Sequence, residues 1–226
     1  YQDSVKKLLH KVLQDSVSFY ASYDSLEHMG VQESPNNKLR ILTWHVPMIA
    51  GEHEYFGFVQ YMDKRQYRLY TLQDRSDEIN EPEEAVCTDT NWFGAVYYRL
   101  IQNERRGQPV YTLLGYDFNA PASQKKLIET LMVRPDGSLQ LGVPLFRAGS
   151  KQARRIVFEY SAKAVMNMKY HEKSGMIVYD HLSPSHPSRK GHYEFYGPDF
   201  SYDGFYFENG WWNFVADVDI RNPKRR

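Results

Sequence analysis

The residues best suited to binding or catalysis are concentrated in residues 180–212. This segment combines carboxylates and imidazoles, which can orient a ligand, with aromatic rings, which supply contact area. Strand-end loops are also where a rigid β scaffold usually displays its binding groups. We therefore predict a binding site formed by Asp180, His181, His192, Asp199, Tyr202, Asp203, Trp211 and Trp212, with Asp117 and Asn119 contributed by a similar strand-end loop.

The competing interpretation is that residues 197–199 and 202–204 are turns needed only for folding. Gly, Pro and Asp are common turn residues, and Asp180 could cap a turn through its side chain. The two interpretations differ in what an alanine substitution would do, because a turn residue affects stability and a site residue affects binding.

Metal binding is a further alternative for the histidines and carboxylates of this segment. Asp180, His181, His186 and His192 could converge on a borderline metal, but their spacing matches no standard ligand pattern. The carboxylates that could instead hold calcium do not follow the twelve-residue loop pattern: Asp199, Asp203 and Glu208. We therefore predict no metal site.

Carbohydrate hydrolysis is a third alternative for the carboxylates between positions 199 and 219. Asp199, Asp203 and Glu208 could supply the acid and the nucleophile, with Trp211 and Trp212 as sugar platforms. In a β-strand, however, adjacent residues point to opposite faces, so one tryptophan ring is expected in the core.

Several common chemistries are not indicated by the sequence. It contains no Gly-x-Gly dinucleotide loop, phosphate-binding loop, His-Glu-x-x-His motif or Gly-x-Ser-x-Gly elbow. Cys87 is the single cysteine, which excludes an intrachain disulfide, and we expect it to be a buried bystander thiol. We predict no cofactor.

The composition is that of a folded domain and does not indicate a nucleic-acid-binding protein. The 226 residues include 28 Lys plus Arg and 28 Asp plus Glu, so the basic excess of a nucleic-acid-binding protein is missing. No apolar run approaches the roughly 20 residues of a membrane-spanning helix. The chain begins at Tyr1, which is expected of a product that lost an export signal or was trimmed for expression.

Period-two hydrophobicity predicts a mainly β fold built from antiparallel hairpins. Paired strands are expected around turns at residues 63–66, 103–107 and 174–175, and Asn209-Gly210 is the strongest short hairpin signal. Further predicted features are a turn at residues 135–137, a strand over 154–160, a surface excursion over 74–91, a final strand with Phe214, Ala216, Val218 and Ile220 on its buried face, and a solvated tail at Lys224, Arg225 and Arg226.

Two helices are predicted from apolar spacing of three and four residues. One covers residues 4–29, and its apolar residues form a stripe that is expected to pack against the sheet: Val5, Leu8, Leu9, Val12, Leu13, Val17 and Tyr20. The other begins at Ser123 and has Leu127, Ile128, Leu131 and Met132 on one face. We predict one domain over residues 1–226, with a helical segment at 1–30 and a β-rich body at 38–222.

Five stretches of the chain resemble a family of exported bacterial proteins that have no assigned activity. They are RILTW at 40–44, YFGFVQ at 55–60, YTLLGYD at 111–117, YDHLSP at 179–184 and YGPDFSYDG at 196–204. The resemblance covers most of the chain and implies a location in the cell envelope or periplasm, whereas the single cysteine also fits the cytoplasm. It implies no catalytic residues.

Two functions are therefore expected from the sequence. The first is a non-catalytic envelope protein that binds a protein partner or a surface glycan through aromatic loops. The alternative is a carboxylate-dependent hydrolase that acts on carbohydrate.

Overall fold

The N-terminal third of the chain forms a helix and a four-stranded antiparallel sheet. The computed structural model describes residues 2–64 and 66–219. Helix α1 (Gln2–Leu13) and a 3-10 turn (Ser16–Tyr20) precede the sheet. Its strands, in order, are β1 (Gly30–Glu33), β2 (Leu39–Pro47), β3 (His53–Asp63) and β4 (Gln66–Gln73).

The strands that follow residue 73 build two further sheets. The middle of the chain supplies β5 (Val96–Arg105), β6 (Gln108–Asp117), β7 (Ser123–Val133) and β8 (Leu139–Leu141). The remainder supplies β9 (Phe146–Ala148), β10 (Lys151–Ala153), β11 (Ile156–Ser161), β12 (Met168–His171), β13 (Met176–Pro184), β14 (Tyr196–Glu208) and β15 (Trp211–Val215).

The three sheets differ in strand order. Strands β1 to β4 form the N-terminal sheet. The central sheet has the order β11-β7-β6-β5, with β8 paired to β7. The C-terminal sheet has the order β10-β9-β15-β14-β13-β12, and all its pairings are antiparallel except the short one between β15 and β9. The mainly β, antiparallel fold predicted from the sequence is thus confirmed.

The central sheet lies between the other two and contributes to both hydrophobic cores. On β6, Leu113 packs in the core shared with the N-terminal sheet, whereas Leu114 packs in the core shared with the C-terminal sheet. On β7, likewise, Leu127 packs in the core shared with the N-terminal sheet, and Ile128 packs in the core shared with the C-terminal sheet. Successive side chains of a strand point to opposite faces, so a strand buried on both faces is apolar without alternation.

Several local predictions are confirmed by the structure. Asn209 and Gly210 adopt φ values of 53° and 79°, as a two-residue hairpin turn with left-handed geometry requires, and they join β14 to β15. The predicted hairpins around residues 63–66, 103–107 and 174–175 join β3 to β4, β5 to β6 and β12 to β13. Residues 135–137 form a turn, the predicted strand over 154–160 is β11, and Cys87 is fully buried.

The predicted helix over residues 4–29 is wrong in extent. The α-helix ends at Leu13, and Asp15 then accepts a hydrogen bond from the Val17 amide that begins a separate 3-10 turn. Leu13 is fully buried against the N-terminal sheet. Most of the predicted buried stripe is instead exposed: Val5, Leu8, Val12, Val17 and Tyr20. Leu9 and Leu13 therefore pack toward the sheet, whereas Val5, Leu8 and Val12 remain exposed.

The predicted helix that begins at Ser123 is wrong, because this segment is strand β7. Its apolar residues face both cores, with Leu131 on one side and Ile128 on the other. Two interleaved period-two patterns produce three- and four-residue spacings that imitate a helix.

The predicted final strand is too long, since β15 ends at Val215 and the chain turns at Asp217, where φ is 54°. Phe214 and Ala216 are exposed, contrary to the prediction that this face is buried. Ile220 and the basic residues at 224–226 lie outside the described residues.

No helix within residues 2–64 and 66–219 has the length and apolarity required to cross a bilayer.

Candidate functional site

An open cleft lies where the central sheet meets the edge of the C-terminal sheet. Its cavity volume is about 580 Å³, within the roughly 300–1,000 Å³ of small-molecule sites. Three tyrosines from separate strands of the central sheet line it: Tyr98 on β5, Tyr116 on β6 and Tyr160 on β11. The opposite wall is the segment 162–169, which leads into β12. We call this feature the tyrosine cleft.

Strand pairing places four cleft residues on one face of the central sheet. Tyr116 is directly opposite Lys126, and Gln124 is opposite Tyr160. Residues opposite each other in an antiparallel pair point to the same side, and so do residues two apart on one strand. The tyrosines are therefore positioned by a hydrogen-bonded scaffold and not by a loop.

A β-bulge positions Tyr98, the third tyrosine. Tyr97 pairs with Gly115 and Arg99 pairs with Leu114, so Tyr98 is the additional residue on β5. Bulges redirect a side chain and are frequent beside functional sites. The Tyr98 hydroxyl donates a 3.2 Å hydrogen bond to the Met168 carbonyl, which fixes the ring between the two sheets.

The wall formed by residues 162–169 is attached to both sheets. Gln124 Nε2 donates to the Ala164 carbonyl at 3.0 Å. From the C-terminal sheet, Asp180 Oδ2 accepts from the Asn167 amide at 2.6 Å and from Asn167 Nδ2 at 3.1 Å. Asp180, a predicted site residue, thus supports the wall from behind and is itself buried.

Lys126 brings a positive charge into the tyrosine cleft. Its Nζ lies 5.6 Å from the centroid of the Tyr98 ring. Burial lowers the pKa of Lys126 and Lys169 lowers it further, whereas the Asp180 carboxylate opposes both effects. Burial also raises the pKa values of Tyr98 and Tyr160, so both hydroxyls are neutral near pH 7. The cleft therefore combines neutral aromatic walls with one partly buried amine.

Three predicted site residues come together at a second location, around a bulge between β13 and β14. Asp180 pairs with Tyr202 and Leu182 pairs with Pro198, which leaves His181 opposite the three residues 199–201. His181 Nδ1 is 2.7 Å from Asp203 Oδ2, and its Nε2 is 3.9 Å from Asp199 Oδ2. The imidazole is thus held between two carboxylates.

The hydrogen bond to Asp203 is the main cause of a raised pKa at His181, which burial opposes and the Asp199 charge assists. Protonation of His181 therefore stabilises the fold. This contribution is complete below the ordinary pKa of 6.5 and is lost as the pH rises through the raised value. We expect Asp203→Asn to lower the pKa of His181, measured by NMR titration of its ring proton. An unchanged pKa would show that Asp203 does not control this imidazole.

Asp117 and Asn119 belong to a separate network on the opposite face of the central sheet from the tyrosine cleft. Asp117 Oδ1 accepts from the Tyr55 hydroxyl and from the Asn119 amide, both at 2.7 Å. Asn119 in turn accepts from Lys125 Nζ at 2.6 Å and donates to Ser123 Oγ at 2.8 Å. These contacts tie the β6–β7 loop to the N-terminal sheet.

The remaining predicted residues are dispersed. Trp212 is fully buried, and its Nε1 donates to Thr112 Oγ1 at 2.9 Å. Trp211 faces the other way and contacts arginine side chains, which confirms the prediction that the two rings lie on opposite faces. His192 is exposed beside Glu194, and Tyr202 is half-buried.

A metal centre of three or more His, Cys, Asp or Glu side chains is not found in the described part of the chain. The cleft residues Tyr98, Tyr116, Lys126 and Tyr160 were not singled out by the sequence. The one available signal was the position of Gln124, Lys125 and Lys126 at the start of an otherwise apolar segment, which marks where β7 leaves the core.

Comparison with known proteins gives no relative: no family model, curated protein or solved structure matches the chain.

Proposed function

We propose that this protein is a non-catalytic binding protein of the bacterial cell envelope and that it holds a glycan in the tyrosine cleft. The envelope location is supported by the family resemblance of the sequence. Glycan binding is supported by the cleft itself, where the accessible rings of Tyr98 and Tyr116 on a rigid sheet converge with amide and amine groups.

The arrangement of the tyrosines is the observation that carries the proposal. A sugar ring has apolar C–H faces and a polar rim, so it is bound by aromatic surfaces flanked by hydrogen-bonding groups. Tyr98 and Tyr116 supply such surfaces, while Lys126 and Asn167 lie in the same lining. Because the cleft is open to solvent, a glycan chain can extend beyond it in a way that a closed cavity would prevent.

The alternative of a carboxylate-dependent hydrolase has weaker support. Such enzymes place two carboxyl groups on either side of the scissile bond, roughly 5 to 10 Å apart. No described carboxylate lines the tyrosine cleft. Asp199 and Asp203 lie at the His181 bulge, outside this cleft, and both are already engaged with His181 or neighbouring groups.

Calorimetric titration with cellohexaose, xylohexaose, chitohexaose and oligogalacturonate tests the proposal. We expect at least one to bind, and Tyr98→Ala to weaken that binding about tenfold or more because the aromatic surface is lost. Tyr98→Phe keeps the ring and should retain most of the affinity.

Tyr206→Ala is the matched control, since Tyr206 and Tyr98 are each 38% exposed and Tyr206 lies on β14 outside the cleft. Binding that is lost equally in Tyr98→Ala and Tyr206→Ala would contradict the proposed location. Absence of binding to every saccharide in the set would contradict the proposed ligand class.

A further inference from the structure

The tyrosine cleft has an uneven charge distribution. Lys126, Lys163 and Lys169 all line it, and no described Asp or Glu side chain does. Within residues 2–64 and 66–219, no carboxylate lies within 4.0 Å of any of these three amines. The protein as a whole is neutral, with 28 basic and 28 acidic residues, so this local excess is a property of the cleft.

Lys126 differs from the other two lysines in its surroundings. It is half-buried on β7, whereas Lys163 and Lys169 are exposed at the rim. Burial without an ion pair is unfavourable for an ammonium group, because water is removed and no counter-charge replaces it. The Asp180 carboxylate raises the pKa of Lys126, but it is already engaged by Asn167. An anion bound in the cleft would supply the missing partner.

We infer that the tyrosine cleft selects acidic glycans, with the carboxylate of a uronic acid residue accepted by Lys126. The inference rests on the proposed glycan-binding function and specifies its ligand class. The Lys126 amine lies over the Tyr98 ring, 5.6 Å from its centroid, so a sugar that contacts this ring places its substituents close to that amine. The exposed Lys163 and Lys169 add positive charge at the rim and attract a polyanionic chain toward the cleft.

A matched pair of ligands separates charge from sugar shape. Trigalacturonic acid and its methyl ester have the same rings and linkages, but only the acid is charged. We expect the acid to bind about tenfold or more tightly than the ester, because a charge-assisted hydrogen bond exceeds a neutral one. This preference should decrease with added salt. It should also disappear as rising pH deprotonates Lys126, at a lower pH than for an ordinary lysine.

Lys126→Met tests the assigned residue. Methionine fills a similar volume without charge, so the variant should fold and should lose most of the preference for the acid over the ester. Lys151→Met removes one charge from the exposed strand β10, outside the cleft, and should keep the preference for the acid.

Two results would overturn the inference. Equal binding of acid and ester by the unaltered protein would leave glycan binding intact and remove the acidic selectivity. An undiminished preference in Lys126→Met would remove the assigned residue. Failure of the proposed function has a different signature, in which no saccharide of the calorimetric set binds or Tyr98→Ala has no effect on binding.

Discussion

Glu129→Gln is expected to lower the free energy of unfolding by about 3–5 kcal/mol. Glu129 and Arg155 form an ion pair that is inaccessible to solvent, with Glu129 Oε2 and Arg155 Nη2 2.5 Å apart. Burial lowers the pKa of Arg155, but the Glu129 carboxylate more than offsets this and leaves the pKa above its usual range. Removing the carboxylate charge leaves Arg155 buried without a counter-charge. Urea denaturation followed by circular dichroism measures the loss.

Glu172→Gln provides the matched control. Glu172 pairs with Arg99 at the same 2.5 Å distance, but the two side chains are 73% and 43% exposed. Exposed ion pairs contribute roughly 0–1 kcal/mol, so this variant should be nearly as stable as the unaltered protein. Similar losses for Glu129→Gln and Glu172→Gln would show that burial does not set the contribution of the Glu129–Arg155 pair.

Trp212→Ala is expected to lower the free energy of unfolding by about 3–5 kcal/mol, because it removes a fully buried ring from the core between the central and C-terminal sheets. The ring contacts Tyr170 and Phe207, and its Nε1 donates to Thr112. The loss therefore includes aromatic packing within the C-terminal sheet and a hydrogen bond to the central sheet. Urea denaturation again provides the measurement.

The adjacent Trp211→Ala should cost only about 1 kcal/mol. Trp211 lies on the other face of β15, where its ring centroid is 3.4 Å from Arg147 Cζ and 4.2 Å from Arg105 Cζ. Cation–π contacts of this kind are worth roughly 0.5–1 kcal/mol at exposed sites. Equal losses from Trp211→Ala and Trp212→Ala would contradict the assignment of the two faces.

The hairpins could be predicted from the sequence because their determinants are local. Asn209 and Gly210 tolerate positive φ, and the aromatic residues on either side alternate between faces. Period-two runs likewise identified β2, β3 and β4. Neither feature depends on parts of the chain that are distant in sequence.

Strand β7 could not be recognised because its burial is set by distant segments. Two other sheets cover it, so its apolar residues follow no single period, and a helix fitted their spacing equally well. For helix α1 the sequence predicted the helical type correctly but overestimated its burial. The pattern showed an apolar stripe, and only a small part of that stripe contacts the sheet. Leu13 is buried there, while Leu8 is 64% exposed.

The candidate site was the hardest feature to predict. The sequence drew attention to residues 180–212, where polar and aromatic residues are close along the chain. The tyrosine cleft is instead assembled from β5, β6, β7 and β11, which only strand order brings together. The bulge at Tyr98 changes the strand register, and no residue type in this segment predicts such a change. Asp180 was predicted as a site residue, and in the structure it lies behind the wall of the cleft.

Methionine methyl NMR tests the central claim, that the tyrosine cleft holds a glycan, most directly. Met166 and Met168 line the cleft, whereas Met48 and Met62 lie outside it on the N-terminal part of the fold. The chain has seven methionines, so selective labelling gives few and assignable signals. During titration with the saccharide that binds most tightly, we predict that the Met166 and Met168 methyl signals shift and saturate. The dissociation constant from these shifts should equal the one from calorimetry. Saturable shifts at Met48 or Met62, with Met166 and Met168 unchanged, would contradict the account.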